Sequence, residues 1–128
     1  MIDKCIFCEI KEKVLENDLA FAIYDKYPVN PGHMLIIPKR HVADYFDTTI
    51  QERQAIDKLV MDCKNLLDEK YKPDAYNIGI NCGEDAGQTI FHVHVHLIPR
   101  YKGDLDNPTG GVRGVIPEKR IYYCVLGC

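Results

Sequence analysis

The fold class this sequence predicts is α+β: an antiparallel β-sheet of about five strands with one long and one short helix. Three observations carry that expectation. Residues 91–97, FHVHVHL, alternate strictly between two kinds of side chain, which is the period of a β-strand. Residues 50–71 carry an apolar stripe at helical spacing. The short apolar runs before and after that stretch are separated by turn residues, so strands flank a single long helix.

Taken in order, LAFAIY (19–24) reads as the first strand and HMLIIP (33–38) as the second. YPVNPG between them supplies two prolines, an Asn and a Gly for a tight connection. RHVADYF (40–46) is expected to form a short helical turn. In the long helix, Ala55/Ile56, Leu59/Val60, Cys63 and Leu66/Leu67 form the stripe. Thr49 followed by Glu52 is a capping-box pattern at its start, and Pro73 stops it. YNIGIN (76–81) then reads as a strand, GEDAG as a turn, and residues 88–98 as the histidine strand, the two strands forming an antiparallel hairpin. From Gly103 the chain is rich in Gly, Pro and charge, with a short strand expected near 121–126. Residues 1–128 are expected to be one domain, with residues 103–128 as a tail docked on the body.

The chain of 128 residues is 46% hydrophobic and 27% charged, with net charge −3. A core of this size supports a fold without disulfides. Acid and base are well mixed, so the broad positive footprint of a nucleic-acid polymer binder is missing. A small nucleotide needs only a local pocket and stays open. MIDKCIFCEI is too short and too charged for a signal peptide, and no apolar run reaches membrane length. The expectation is a cytoplasmic protein whose six cysteines serve as thiols or metal ligands.

Three constellations point to chemistry. His92, His94 and His96 stand at every second position, about 6.6 Å apart on a strand, on the face opposite Val93, Val95 and Leu97. Three cationic imidazoles side by side would repel, so some are neutral or metal-bound near neutral pH. A neutral imidazole is a ligand, a nucleophile or a base. Against this stands a solvated strand face, which explains one histidine better than three. Cys5 and Cys8 form a C-x-x-C pair, which brings two thiolates to one ion. His41 and one histidine of the row are the obvious remaining donors. NCGEDAGQT (81–89) offers small residues and turn amides that suit an anion, although taken alone it reads more readily as a plain hairpin turn, and no P-loop is present.

AGQTIFHVHVHLIPR resembles the His-x-His-x-His-x-x motif of the histidine triad (HIT) family of nucleotide hydrolases and transferases. PGHMLIIPKRH and CIFCEI are similar to further blocks of its zinc-containing bacterial branch, and GGVRGVIPEK to the end of many bacterial members. The resemblance covers residues 5–102. It implies His94 as the nucleophile that attacks the α-phosphorus, with His96 on the phosphate. It implies a structural zinc held by Cys5, Cys8, His41 and His92. Asp25 would bind the ribose, and Asn81, Gln88 and Thr89 would hydrogen-bond the phosphate or leaving group, His94 and His96 sharing the nucleotide. His33 matches a histidine near the active centre.

The implied activity is hydrolysis or transfer at the α-phosphate of purine nucleoside phosphoramidates or dinucleoside polyphosphates, in a homodimer, with neither nucleic-acid polymer nor membrane as partner. The rivals are a nucleotide-binding regulatory scaffold with incidental turnover and a zinc-storage or metal-sensing protein. An intact triad favours the enzyme. Storage alone leaves Asp25, Asn81 and the glycine-rich turn without a purpose.

Overall fold

The computed structural model describes residues 5–122. Five strands, β1 (Leu15–Glu16), β2 (Ala20–Tyr24), β3 (Met34–Pro38), β4 (Ala75–Ile80) and β5 (Val95–Arg100), form one sheet in the order β1-β2-β3-β5-β4. Every neighbouring pair is antiparallel. One α-helix, α1 (Ile50–Lys70), lies on one face of it.

Alternation sorts each strand between two cores. Ala20, Ala22, Met34, Ile36, Val95 and Leu97 face α1 and meet Ile56, Leu59, Cys63 and Leu67. Their neighbours Phe21, Leu35 and Ile37 point the other way and pack with Phe7. The helical stripe therefore buries four residues, while Ala55, Val60 and Leu66 stay half-buried. At the helix start the Thr49 hydroxyl accepts the Glu52 N–H at 3.0 Å and the Glu52 carboxylate accepts the Thr49 N–H at 2.8 Å. Two orphan amides are thereby satisfied reciprocally. The helix ends at Lys70 with Tyr71 as its C-cap, and Lys72 then adopts φ 50° immediately before Pro73.

The loop between β2 and β3 closes as expected, with the Asp25 N–H donating to the His33 carbonyl at 2.9 Å. Gly32 has φ +89°, and a Cβ there would come within 3.1 Å of Leu67 and Tyr71. Only glycine meets both demands. Pro99 sits inside β5 without penalty because the pairing of β5 with β3 stops at Leu97.

Several boundaries differ from expectation. The histidine strand begins at Val95, not at 88, because the β4 ladder ends at the Ile80–Val95 pair and the Val93 N–H bonds instead to the Val42 carbonyl at 2.8 Å. Its hairpin partner β4 starts one residue earlier than read, and the two are joined by residues 81–94. The short helix is a 3-10 turn, Tyr45–Asp47, capped by the Asp44 carboxylate accepting the Phe46 N–H at 2.9 Å. The two-residue β1 was not anticipated; it is too short to show periodicity. The strand expected near 121–126 lies largely outside the described residues, and Ile121 and Tyr122 belong to no strand. In the tail, the turn Gly111–Val115 touches β4, and Arg120 donates to the Thr109 carbonyl at 2.8 Å. No helix among the described residues is long and apolar enough to cross a membrane.

Candidate active site and metal centre

The histidine row divides. His92 turns away from its two neighbours and joins Cys5, Cys8 and His41, all four donor atoms lying within 4.8 Å of one another. The Cys5 Sγ stands 3.3 Å from His92 Nδ1, and the Cys8 Sγ stands 3.3 Å from His41 Nδ1 and 3.5 Å from His92 Nδ1. His92 is fully buried, and its Nε2–H donates to the Pro38 carbonyl at 2.7 Å. That bond fixes the tautomer and turns the Nδ1 lone pair toward the thiols.

Two thiols and two ring nitrogens lie together here, a donor set that suits a single cation such as zinc. A tetrahedral zinc with two S and two N ligands has donor–donor edges of about 3.3–3.8 Å, and the three S···N distances above fall in that range. The residues fit the ion. Cys5, Cys8, His41 and His92 would hold it as a closed set of four, supplying cross-linking and no open position for chemistry.

His94 and His96 face a cavity of about 760 Å³, on the sheet side away from α1. The His94 Nδ1–H donates to the His92 carbonyl at 2.9 Å. Its Nε2 therefore keeps the lone pair, on a ring that lines the cavity. His96 is set by a longer chain of bonds. The Val29 N–H donates to His33 Nδ1 at 3.0 Å, so a neutral His33 carries its proton on Nε2. That proton is shared between His96 Nδ1 at 3.0 Å and Asp25 Oδ2 at 3.4 Å. His96 Nδ1 is then an acceptor, and its own proton sits on Nε2.

Protonation states follow from burial. Desolvation first, then the neighbouring His94 and His33, push His96 down to about 4, and desolvation lowers His33 as well despite Asp25. Both imidazoles are neutral at physiological pH. The cavity thus presents a bare ring nitrogen on His94 beside a ring N–H on His96, their centroids 5.1 Å apart.

Of the remaining residues read from the sequence, Asp25, Asn81 and Thr89 line the same cavity. Asp25 also accepts the Tyr27 N–H at 2.9 Å through its other oxygen. Gln88 does not line it. This side chain is buried, accepting the Gly83 N–H at 2.9 Å and donating to the carbonyls of Ala43 at 2.6 Å and Ile90 at 3.2 Å. Its amide holds the loop between β4 and β5 in shape. In the apolar wall, Ile6, Phe7 and Ile10 come from the cysteine loop, Ile23 from β2, Leu35 from β3 and Ile90 from the segment before the histidines. The sequence signal for a second buried face is that the runs at 19–24 and 34–38 are apolar almost throughout.

The family model for the HIT domain matches residues 9–103. Among solved structures, a HIT family protein from Bacillus anthracis superposes with a TM-score of 0.75 at 38% identity, covering 81% of this chain and 78% of that one. A zinc-bound histidine triad family protein from Mycobacterium smegmatis superposes with a TM-score of 0.71 at 33% identity, covering 78% and 77%. An asymmetrical bis(5'-nucleosyl)-tetraphosphatase of Schizosaccharomyces pombe is 42% identical over 86 residues, which are 67% of this chain and 47% of that protein. Fold, motif and matched residues agree, and the chain belongs to the HIT domain family.

Proposed function

We propose that this protein is a nucleotidyl hydrolase or transferase of the zinc-containing bacterial branch, acting at the α-phosphate of purine nucleoside phosphoramidates or dinucleoside polyphosphates. The observation that carries the reading is the paired tautomers in the cavity: a bare Nε2 on His94 beside an Nε2–H on His96. The similar tetraphosphatase supports the substrate class, and the zinc-bound relative supports the metal.

The chemistry runs in two displacements, because an anionic phosphate repels hydroxide and a neutral imidazole is a better first attacker. The Nε2 lone pair of His94 forms a bond to the α-phosphorus. The P–O or P–N bond to the leaving group breaks, and its electron pair departs with that group, an amine taking its proton from solvent. His96 donates its Nε2–H to a phosphoryl oxygen, where negative charge gathers, joined by Asn81 and Thr89. Water then adds to phosphorus, the P–N bond returns its pair to His94, and the spare proton passes to solvent. Asp25 holds the ribose, the apolar wall holds the base, and Gln88 keeps the loop that carries Thr89. Zinc, when bound, cross-links the loop at Cys5 and Cys8 to His41 and His92 and takes no part in the displacement.

The test is a turnover screen of adenosine and guanosine phosphoramidates against diadenosine tri- and tetraphosphates. His94→Ala is expected to lose several orders of magnitude in kcat while retaining AMP, and quenched wild-type protein to carry one acid-labile nucleotide on the 88–100 peptide. Near wild-type turnover by His94→Ala hands the cavity to the regulatory-scaffold reading.

We also place the protein in the cytoplasm, where Cys5 and Cys8 stay reduced, as one domain whose residues 103–128 dock on the body. It is a homodimer in this reading. β4 ends the sheet with Ile78 53% exposed, and Met61 on α1 is 53% exposed beside the half-buried Ala55 and Val60. A second copy would cover both. Sedimentation at the mass of one 14.7 kDa chain removes that assembly.

A further inference from the structure

Phe7 stands between the two cysteines of the metal cluster and also lines the nucleotide cavity. Its ring is 5% exposed and meets two histidines edge to face: His92 at 6.0 Å and 79°, and His94 at 5.0 Å and 72°. Ile6 and Ile10, on either side of it in the chain, line the cavity too. One short loop therefore supplies both a pair of metal donors and one wall of the pocket.

That loop lies outside the sheet and the helix: residues 5–13 belong to no strand or helix. The backbone N–H groups of Cys8 and Glu9 bond back to the carbonyls of Cys5 at 3.1 Å and Ile6 at 3.4 Å, inside the loop. Contacts that hold it on the body include the packing of Phe7, Cys5 and Ile10 on Phe21, Leu35 and Ile37, and the approach of the cysteine thiols to His41 and His92. His41 and His92 are firmly placed, since the Val93 N–H bonds to the Val42 carbonyl at 2.8 Å. A segment outside the sheet and the helix opens locally more readily than they do, and a cation at its four donors would hold it closed.

We infer that the metal cluster and the nucleotide cavity are thermodynamically coupled through the loop at residues 5–10, with Phe7 as the positioning residue that carries the coupling. The coupling rests on the nucleotide and zinc readings above. Closing the loop on zinc completes the apolar wall and seats the Phe7 ring against His94. A nucleotide that fills the cavity packs on the same closed loop. Each ligand favours the arrangement that the other needs, so coupling is positive and, as a binding free energy, reciprocal. Metal supply then sets nucleotide affinity, although the metal touches neither phosphate nor base.

The experiment measures zinc held by the full-length protein in competition with a chromogenic chelator, with and without saturating AMP. AMP binding to the zinc-loaded and partly stripped protein is followed by calorimetry, and folding by circular dichroism. Zinc is expected to bind on the order of tenfold tighter with AMP present, and AMP to weaken by the same factor on zinc removal. Phe7→Leu keeps an apolar side chain but loses the ring edge on His94; it is expected to keep zinc and to reduce the coupling several-fold. Phe7→Ala is expected to bring it within twofold of none. AMP binding that leaves zinc affinity unchanged overturns the coupling, and undiminished coupling in Phe7→Leu overturns the role of Phe7. A zinc-loaded wild type that binds no AMP overturns the nucleotide reading and the coupling together, an outcome distinct from AMP bound without effect on zinc.

Discussion

At the scale of single residues, the site is written in hydrogen atoms that no sequence pattern displays. His94 and His96 are the same side chain two positions apart, yet one presents a lone pair and the other an N–H. The difference comes from two backbone groups, the His92 carbonyl and the Val29 amide, the second acting through His33. His33 was placed near the active centre by resemblance alone, and geometry gives it a definite task. Removing it frees His96 to take the other tautomer. His33→Ala is expected to lower kcat on the order of 10²-fold with little change in AMP affinity, measured by steady-state kinetics on the best phosphoramidate. A kcat within threefold of wild type means that His96 is oriented by something else.

Secondary-structure elements show how local signals and long-range partners combine. The capping box at Thr49–Glu52 was legible because both residues are three apart in the chain. Its third member was not. Arg40 donates to both carboxylate oxygens of Glu52, at 3.0 and 2.8 Å, tying the segment after β3 to the start of α1. These bonds, led by Arg40, hold the carboxyl of Glu52 below the usual range. A carboxylate whose pKa falls on folding contributes stability that is full above its unfolded value, near about 4.3, and is lost as pH drops through the folded one.

Glu52→Gln is therefore expected to cost about 1 kcal/mol at pH 7, where the charge is lost from a partly exposed pair. The difference should fade at the acid end of the scale, where the wild type is protonated too. Urea melts at two pH values decide it, and an equal loss at both removes the charge from the account. The histidine strand is the opposite case. Its alternation placed Val95 and Leu97 correctly on one buried face, the one against α1, but ladder pairing stops at Val95. Periodicity reports which way side chains point, and it does not report where a neighbouring strand runs out.

For the molecule as a whole, the Cys5–Cys8–His41–His92 cluster is a long-range connection. It joins the N-terminal loop to His92 across 87 residues of sequence and to His41 across 33. Cys5→Ser is expected to drop zinc well below one equivalent per chain by metal analysis, and to lower Tm without abolishing the cooperative transition. The fold should survive because the core against α1 is independent of the cluster. Full zinc in Cys5→Ser moves the site elsewhere; loss of folding makes the cluster part of the core.

The sequence by itself determined which residue types are present and which local periods they obey. From these came the α+β class, the long helix with its cap, two central strands, and the grouping of histidines apart from valines. The motif spacing carried the family, because short-range order in the chain is all that a motif needs. Tertiary structure alone decided that the Pro38 carbonyl turns the Nδ1 of His92 toward Cys5, Cys8 and His41, a set that the motif resemblance had implied. It also decided that Gln88 turns inward and that the cysteine loop walls the cavity. The physical reason is common to all three. Each depends on contacts between segments far apart in sequence, or on the accepting and donating state of a ring nitrogen. Both are fixed only when the partners meet in three dimensions.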